Sequence, residues 1–123
     1  MTELSLRPLA ESDLPLLLAW RQNQDLIRYM PSAPRNLTWK AHYAWWKSRK
    51  DRRDYMVILK DETGERPIGI VHVEFTGWEV GLIIGERHAG AGLGGQAMAL
   101  LLAKLTVGQK VRAVVHPDNL ASL

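Results

Sequence analysis

The chain has 123 residues, of which 46% are hydrophobic and 24% charged, a balance that fits one globular domain and excludes disorder throughout. It has no cysteine, which removes disulfides, thiolate nucleophiles, iron–sulfur clusters and cysteine zinc sites together. The net charge of +3 sits in the stretch 47–54, which suits contact with a single acidic or phosphorylated group, or a solvated helix end, better than the extended stripe nucleic acid needs.

In chain order, Leu4 and Leu6 alternate with Glu3, Ser5 and Arg7 and predict a half-buried strand closing at Pro8. Ser12 is the expected N-cap of a helix carrying Leu14, Leu17 and Leu18 on one stripe and ending near Asn23. A second helical piece is expected over 25–29, before Pro31 and Pro34 impose an irregular segment. Thr38 caps a helix over 39–50 with an aromatic face of Trp39, His42, Trp45 and Trp46. Strands follow at 55–60 and 68–75 around a turn at 61–65, then at 78–85. A glycine-rich loop leads into a helix over 96–105, and a last strand covers 111–116. Three strands joined by short turns must be antiparallel neighbours, whereas the final strand–helix–strand has the length of a parallel crossover, so the sheet is mixed. No apolar run approaches the roughly 18 to 20 residues of a membrane span. Glu3 stands where a signal peptide would carry a base, and the expected compartment is the cytoplasm.

The most informative stretch is 86–96, Glu-Arg-His-Ala-Gly-Ala-Gly-Leu-Gly-Gly-Gln, between a strand and a helix. Unpaired amides at such a helix start face outward, and glycines let a phosphate approach without a Cβ in the way. A pyrophosphate fits there. No Lys-Ser or Lys-Thr follows the glycines, which excludes Walker A. Gly90, Gly92 and Gly95 match G-x-G-x-x-G literally, but the three antiparallel strands before them do not belong to a dinucleotide-binding domain. The remaining alternative is a tight turn alone, and four glycines within 90–95 exceed what a turn requires.

The segment 89–94, Ala-Gly-Ala-Gly-Leu-Gly, resembles the cofactor signature of the GNAT superfamily of acetyl-CoA-dependent N-acetyltransferases (Arg or Gln, two residues, Gly, one residue, Gly or Ala), with Ala89 in the first position. The resemblance extends over the whole chain through Ser12-Asp13-Leu14, the hairpin at 55–75, Glu79-Val80-Gly81 and Asn119-Leu120-Ala121-Ser122. Trp20-Arg21-Gln22-Asn23, Ile27-Arg28-Tyr29-Met30, Thr38, His42 and Trp45 look most like the amino-sugar acetyltransferases of bacterial surface-glycan pathways. Ribosomal-protein N-terminal acetyltransferases share much of this. The resemblance implies an α/β fold, one domain over 1–123, with a mixed, mostly antiparallel central sheet, helices on both faces, and no C-terminal strands.

It implies acetyl-CoA as co-substrate, no metal, and a small-molecule or peptide amine as acceptor, with no nucleic acid or membrane. The pyrophosphate would meet the amides of Ala89, Gly90, Ala91, Gly92, Leu93, Gly94 and Gly95, with Arg87 or His88 adding charge. The pantetheine arm would run beside Leu82, Ile83 and Ile84, and Asn119 follows the fifth strand as a further cofactor-side residue. Arg21, Tyr29 and His42 are the expected acceptor contacts. An ammonium must lose a proton before attack. Glu79 is the expected base, sharing a strand face with Gly81 and Ile83, and Glu74, His72 and His116 stand in reserve. Val114 occupies a site where some relatives carry a catalytic glutamate, and the family's general-acid tyrosine would fall just past Leu123. Trp39, Trp45 and Trp46 serve either as packing stripe or as stacking platform. With the usual covering strands absent, the fifth-strand edge is expected to support a homo-oligomer. Two other classes remain open: a non-catalytic acyl-CoA-binding or assembly protein, and an interaction module built on the basic cluster and tryptophans.

Overall fold

The computed structural model describes residues 3–22, 37–84, 92–105 and 112–113. Its strands are β1 (Glu3–Pro8), β2 (Arg52–Asp61), β3 (Gly64–Glu74), β4 (Glu79–Ile84) and β5 (Arg112–Ala113), in that order across one sheet. The first four are antiparallel neighbours and β5 lies parallel to β4, the mixed topology the connection lengths require. The helices are α1 (Leu14–Gln22), α2 (Trp39–Ser48) and α3 (Leu93–Ala103). The helical piece expected over 25–29, and most of the strand expected over 111–116 with its outer edge, lie outside the described residues.

Strand alternation divides the core in two. Val57, Leu59, Val71, Val73 and Val80 project to one face and are covered by Leu93, Ala97 and Leu101 of α3. Met56 and Ile70 project to the other and are covered by Leu17 of α1, with Trp20, Trp45 and Trp46 at the margin. Helices therefore occupy both faces. Between Val57 and Ile58 the register shifts: Gly69 pairs with Val57 and Pro67 with Ile58, leaving Ile68 as an extra residue that buries itself on the α3 side. At Gly69 a Cβ would run into the Ile83 carbonyl, so β3 and β4 approach each other this closely only with glycine there.

Cross-strand pairing lengthens several elements beyond their propensity. β2 begins three residues before Tyr55 and β3 four before Ile68, with oppositely charged pairs closing the hairpin at Asp61–Arg66 (2.9 Å) and, on its far end, Arg52–Glu74 (3.0 Å). β4 starts at Glu79 because Trp78 takes a left-handed backbone, φ 49°. α2 is capped by Thr38 as expected, its hydroxyl accepting from the Ala41 amide at 3.2 Å, but it ends at Ser48, before a left-handed Asp51 turns the chain into β2.

Helix α1 does not start from a Ser12 cap. A 3-10 turn, Glu11–Asp13, precedes it, with Ala10 in the extended capping position. Pro15 has no N–H for the Glu11 carbonyl, and the Leu14 amide bonds that carbonyl instead, which tightens the turn. The carboxylate of Asp13 reaches back to the Ala10 amide (2.8 Å) and pairs with both terminal nitrogens of Arg7 (2.7 and 2.8 Å). Among the described residues, no helix is long and apolar enough to cross a membrane.

Hydrogen bonding to Arg7, the largest influence, holds Asp13 below the ordinary carboxylate range, against the opposing cost of burial. A carboxylate with a depressed folded pKa stabilises fully above its unfolded value and loses that contribution as pH falls through the folded one. Asp13→Asn is therefore expected to cost about 1–2 kcal/mol at neutral pH, kept modest by the solvent exposure of Arg7. Chemical denaturation at a series of pH values should show the gap between wild type and variant closing below about pH 3.9.

Candidate functional site

After β4 in chain order, helix α3 has Gly92 as its N-cap, with φ 75°. A side chain is disfavoured in that conformation, and no heavy atom lies within 4 Å of where its Cβ would be. The cap supplies no side-chain acceptor and the first turn holds no acid, so nothing from the helix itself competes for an anion at these amides. Leu93 and Gly94 are buried and Gly95 half-buried, so this turn is seated on the core. The helix begins three residues earlier than propensity predicts, because Gly92 supplies the left-handed step that brings the chain into it.

Beside this junction, the α1–α2 face of the sheet is organised in rows. One row runs Arg52, Glu74 and Glu79 across β2 to β4, the next Asp54, His72 and Gly81, and the third Met56, Ile70 and Ile83. The face thus passes from charged to apolar toward the α3 start. Two like charges directly opposite repel, but Arg52 donates to Glu74 at 3.0 Å and neutralises one of the pair. Glu79 is half-buried. His72 lies over Gly81, where a Cβ would come within 2.5 Å of its Cε1. Glycine there makes room for the imidazole.

Under α2 the row continues into a cluster that the sequence does not announce. Asp54, buried, accepts from Arg49 at 2.5 Å and from two nitrogens of Arg52 at 2.7 and 3.1 Å. The Arg49 guanidinium lies 4.0 Å from the centre of the Trp46 ring, and Arg21 lies 4.7 Å from that of Trp45. The basic stretch at 47–54 is therefore in part internal: Arg49 and Arg52 meet an acid of their own chain. Its one sequence signal is the i, i+2 placement of Arg52 and Asp54 on a single strand face.

His42 is fully buried, and both its nitrogens are engaged within the chain. The Leu14 carbonyl can only accept, so Nε2 carries the proton (3.0 Å) and bare Nδ1 accepts from Arg21 at 3.1 Å. Burial first, and the Arg21 charge, lower its pKa against the pull of that carbonyl. The structure thus places Arg21 and His42 together but gives His42 a core position. It brings Glu79, Glu74 and His72 onto one face. Leu82 turns to the α3 core, Ile83 to the α1–α2 core, and Ile84 is buried. Tyr29, Arg87, His88, Ala89, Gly90, Ala91, Val114, His116, Asn119 and Ser122 lie outside the described residues. Among the described residues, no group of three or more His, Asp or Glu is placed to hold a metal ion.

Burial, and secondarily the Arg52 charge, lower the His72 pKa to about 4, with Asp54 opposing. The imidazole is neutral at physiological pH. Its contribution to stability is full above the unfolded value near 6.5 and lost as pH falls toward 4. NMR titration should show His72 charging only near pH 4, and His72→Gln should flatten the decline in stability between those limits.

Comparison with known proteins gives this geometry a family. Residues 3–123 match the family model described as an acetyltransferase (GNAT) domain. A Methanocaldococcus jannaschii protein is 30% identical over 99% of this chain, and this chain spans 26% of that protein's length. The crystal structure of a domain from the same organism superposes with a TM-score of 0.86 at 30% identity, covering 99% of this chain and 83% of that one. The fold also matches Vibrio cholerae spermidine N-acetyltransferase solved with CoA and spermine (TM-score 0.64, 19% identity, 81% of this chain and 62% of that one). It matches aminoglycoside acetyltransferase AAC(6')-Ib solved with coenzyme A (TM-score 0.70, 17% identity, 98% of this chain and 79% of that one). A sheet with helices on both faces, a left-handed glycine opening α3, and a match over nearly the whole length together establish that this chain belongs to the acetyltransferase (GNAT) domain family.

Proposed function

We propose that this chain acts as one N-acetyltransferase domain, moving an acetyl group from acetyl-CoA to a primary amine of the amino-sugar or protein N-terminal class. The observation that carries this reading is the start of α3. Gly92 takes a left-handed conformation, no side chain caps the helix, and Leu93, Gly94 and Gly95 offer first-turn amides with no acid beside them. Those donors fit a pyrophosphate. The spermidine and aminoglycoside enzymes that share the fold were solved with coenzyme A, which supports the same co-substrate here. With the pyrophosphate at this turn, the acyl arm would extend along Leu82, Ile83 and Ile84 toward Gly81 and Glu79.

In that arrangement Glu79 accepts a proton from the acceptor ammonium, directly or through one water. The freed amine lone pair attacks the thioester carbonyl to give a tetrahedral adduct; as it collapses the C–S bond breaks, the CoA sulfur leaves as thiolate, and the proton the nitrogen loses on becoming an amide goes to that sulfur. Glu79 suits the role because it is half-buried, while Arg52 occupies its neighbour Glu74. Arg21, at the α1–α2 side of the same face, is the described residue nearest in kind to an acceptor contact.

Calorimetry with CoA is expected to give micromolar-scale binding, about 8 kcal/mol. Gly94→Val should abolish it by obstructing the first turn of α3, and unchanged affinity in a folded variant would remove the co-substrate from this site. For any amine that is turned over, Glu79→Gln should lower the rate by roughly 10² to 10⁴ near neutral pH and by less at high pH, where the amine is already neutral. Superimposable pH profiles would transfer the role to Glu74 or His72. CoA binding with no thiol release on any amine would favour a non-catalytic acyl-CoA-binding protein.

A further inference from the structure

The α3 side of the sheet carries a feature that acetyl transfer does not use. An open cavity of about 200 Å³ lies between the β2–β3 end of the sheet and the last turn of α3. Tyr55, Phe75 and Trp78 form its aromatic walls, Val73 lies among them, and Arg53 and Lys104 supply two cations. Gly92 and Lys104 stand at opposite ends of α3, twelve residues apart, so the cavity is roughly 18 Å from the proposed pyrophosphate turn at 1.5 Å per residue.

Three independent observations point to a ligand. First, both cations are exposed and neither forms an ion pair with a described residue, and the cavity lining contains no described acid. Each stands instead beside an aromatic ring: Arg53 Cζ is 5.9 Å from the Phe75 centroid, and Lys104 Nζ is 5.4 Å from that of Tyr55. Second, Trp78 holds φ 49°, an uncommon and costly conformation for a bulky side chain, although the adjacent Gly77 could adopt it freely and does not. The result is a ring turned into the cavity wall, edge-on to Phe75 at 5.3 Å. Third, the volume is selective. A cavity of about 150 Å³ accepts one benzene ring, so this one has room for a single ring with a small substituent.

We propose that this cavity binds a single-ring aromatic anion, its ring against Tyr55, Phe75 and Trp78 and its charge between Arg53 and Lys104. An aryl carboxylate and an aryl phosphate share the recognised chemistry, and benzoate and phenyl phosphate separate them as probes. Titration of the full chain, followed by calorimetry and by the Trp78 indole N–H resonance, should show saturable binding of one or both probes with Kd at or below about 1 mM. Benzamide, which keeps the ring and loses the charge, and acetate and inorganic phosphate, which keep the charge and lose the ring, should each bind about tenfold more weakly or worse. The double variant Arg53→Gln/Lys104→Gln should lose about tenfold in affinity with its circular dichroism unchanged, since both side chains are exposed. Gly94→Val should leave this binding intact, which separates it from the co-substrate site. Absence of a saturable shift up to about 10 mM of either probe would overturn the proposal, as would equal affinity for benzamide or undiminished binding by the double variant.

Discussion

The carboxylate of Asp54 is the point on which the α1–α2 half of the molecule converges. It is buried, and it holds Arg49 from the end of α2 and Arg52 from its own strand. Through Arg52 it reaches Glu74 on β3, and through its backbone carbonyl it accepts from Leu9, just beyond β1, at 3.0 Å. A lone carboxylate in this position would carry a desolvation cost of several kcal/mol, offset here by two guanidinium partners. Arg49 has one buried nitrogen, Nε, without a hydrogen-bond partner, at a cost of about 1–3 kcal/mol. The cluster gives up that much to keep the guanidinium over the Trp46 ring and paired with Asp54.

From this anchor the distribution of roles over the sheet follows. The charged row containing Glu74 and Glu79 lies at the Asp54 end of the face, His72 over Gly81 in the middle, and Met56, Ile70 and Ile83 toward the start of α3. The polar end fits the proton transfer proposed for Glu79, and the apolar end the proposed acyl arm. The opposite face is covered by α3, and its buried residues are all Val, Leu, Ile and Ala, with Tyr55, Phe75, Trp78 and Met98 at the margin. Leu93, Ala97 and Leu101 of α3 hold the sheet, and Leu93 ties the uncapped first turn to that packing.

Much of this is legible in the residues themselves. The alternation in β1, the strand composition of β2, the Thr38 cap, the aromatic stripe of α2 and Gly92 at the start of α3 each report a local constraint, and each appears in the fold. What escapes are the interactions between residues remote in sequence or hidden by composition. Ser12 reads as a better cap than Ala10, yet the cap depends on Asp13 being held by Arg7 across a turn. The run 47–54 reads as surface charge because nothing in its composition separates a solvated arginine from one pointing at a buried acid. His42 reads as an acceptor contact on an aromatic helix face, but it is fully buried and bonded to a carbonyl of α1 twenty-eight positions away. At Trp78 nothing in the sequence marks the left-handed backbone, which falls there rather than on the neighbouring Gly77.

The dependence on Asp54 can be measured by denaturant unfolding of Asp54→Asn, a near-isosteric change that removes the charge and leaves Arg49 and Arg52 in place. Breaking a buried ion pair from one side costs about 3–5 kcal/mol, and a loss of that size with an unchanged m-value is predicted. A loss below about 1 kcal/mol, the scale of an exposed pair, would contradict a fold organised around this carboxylate.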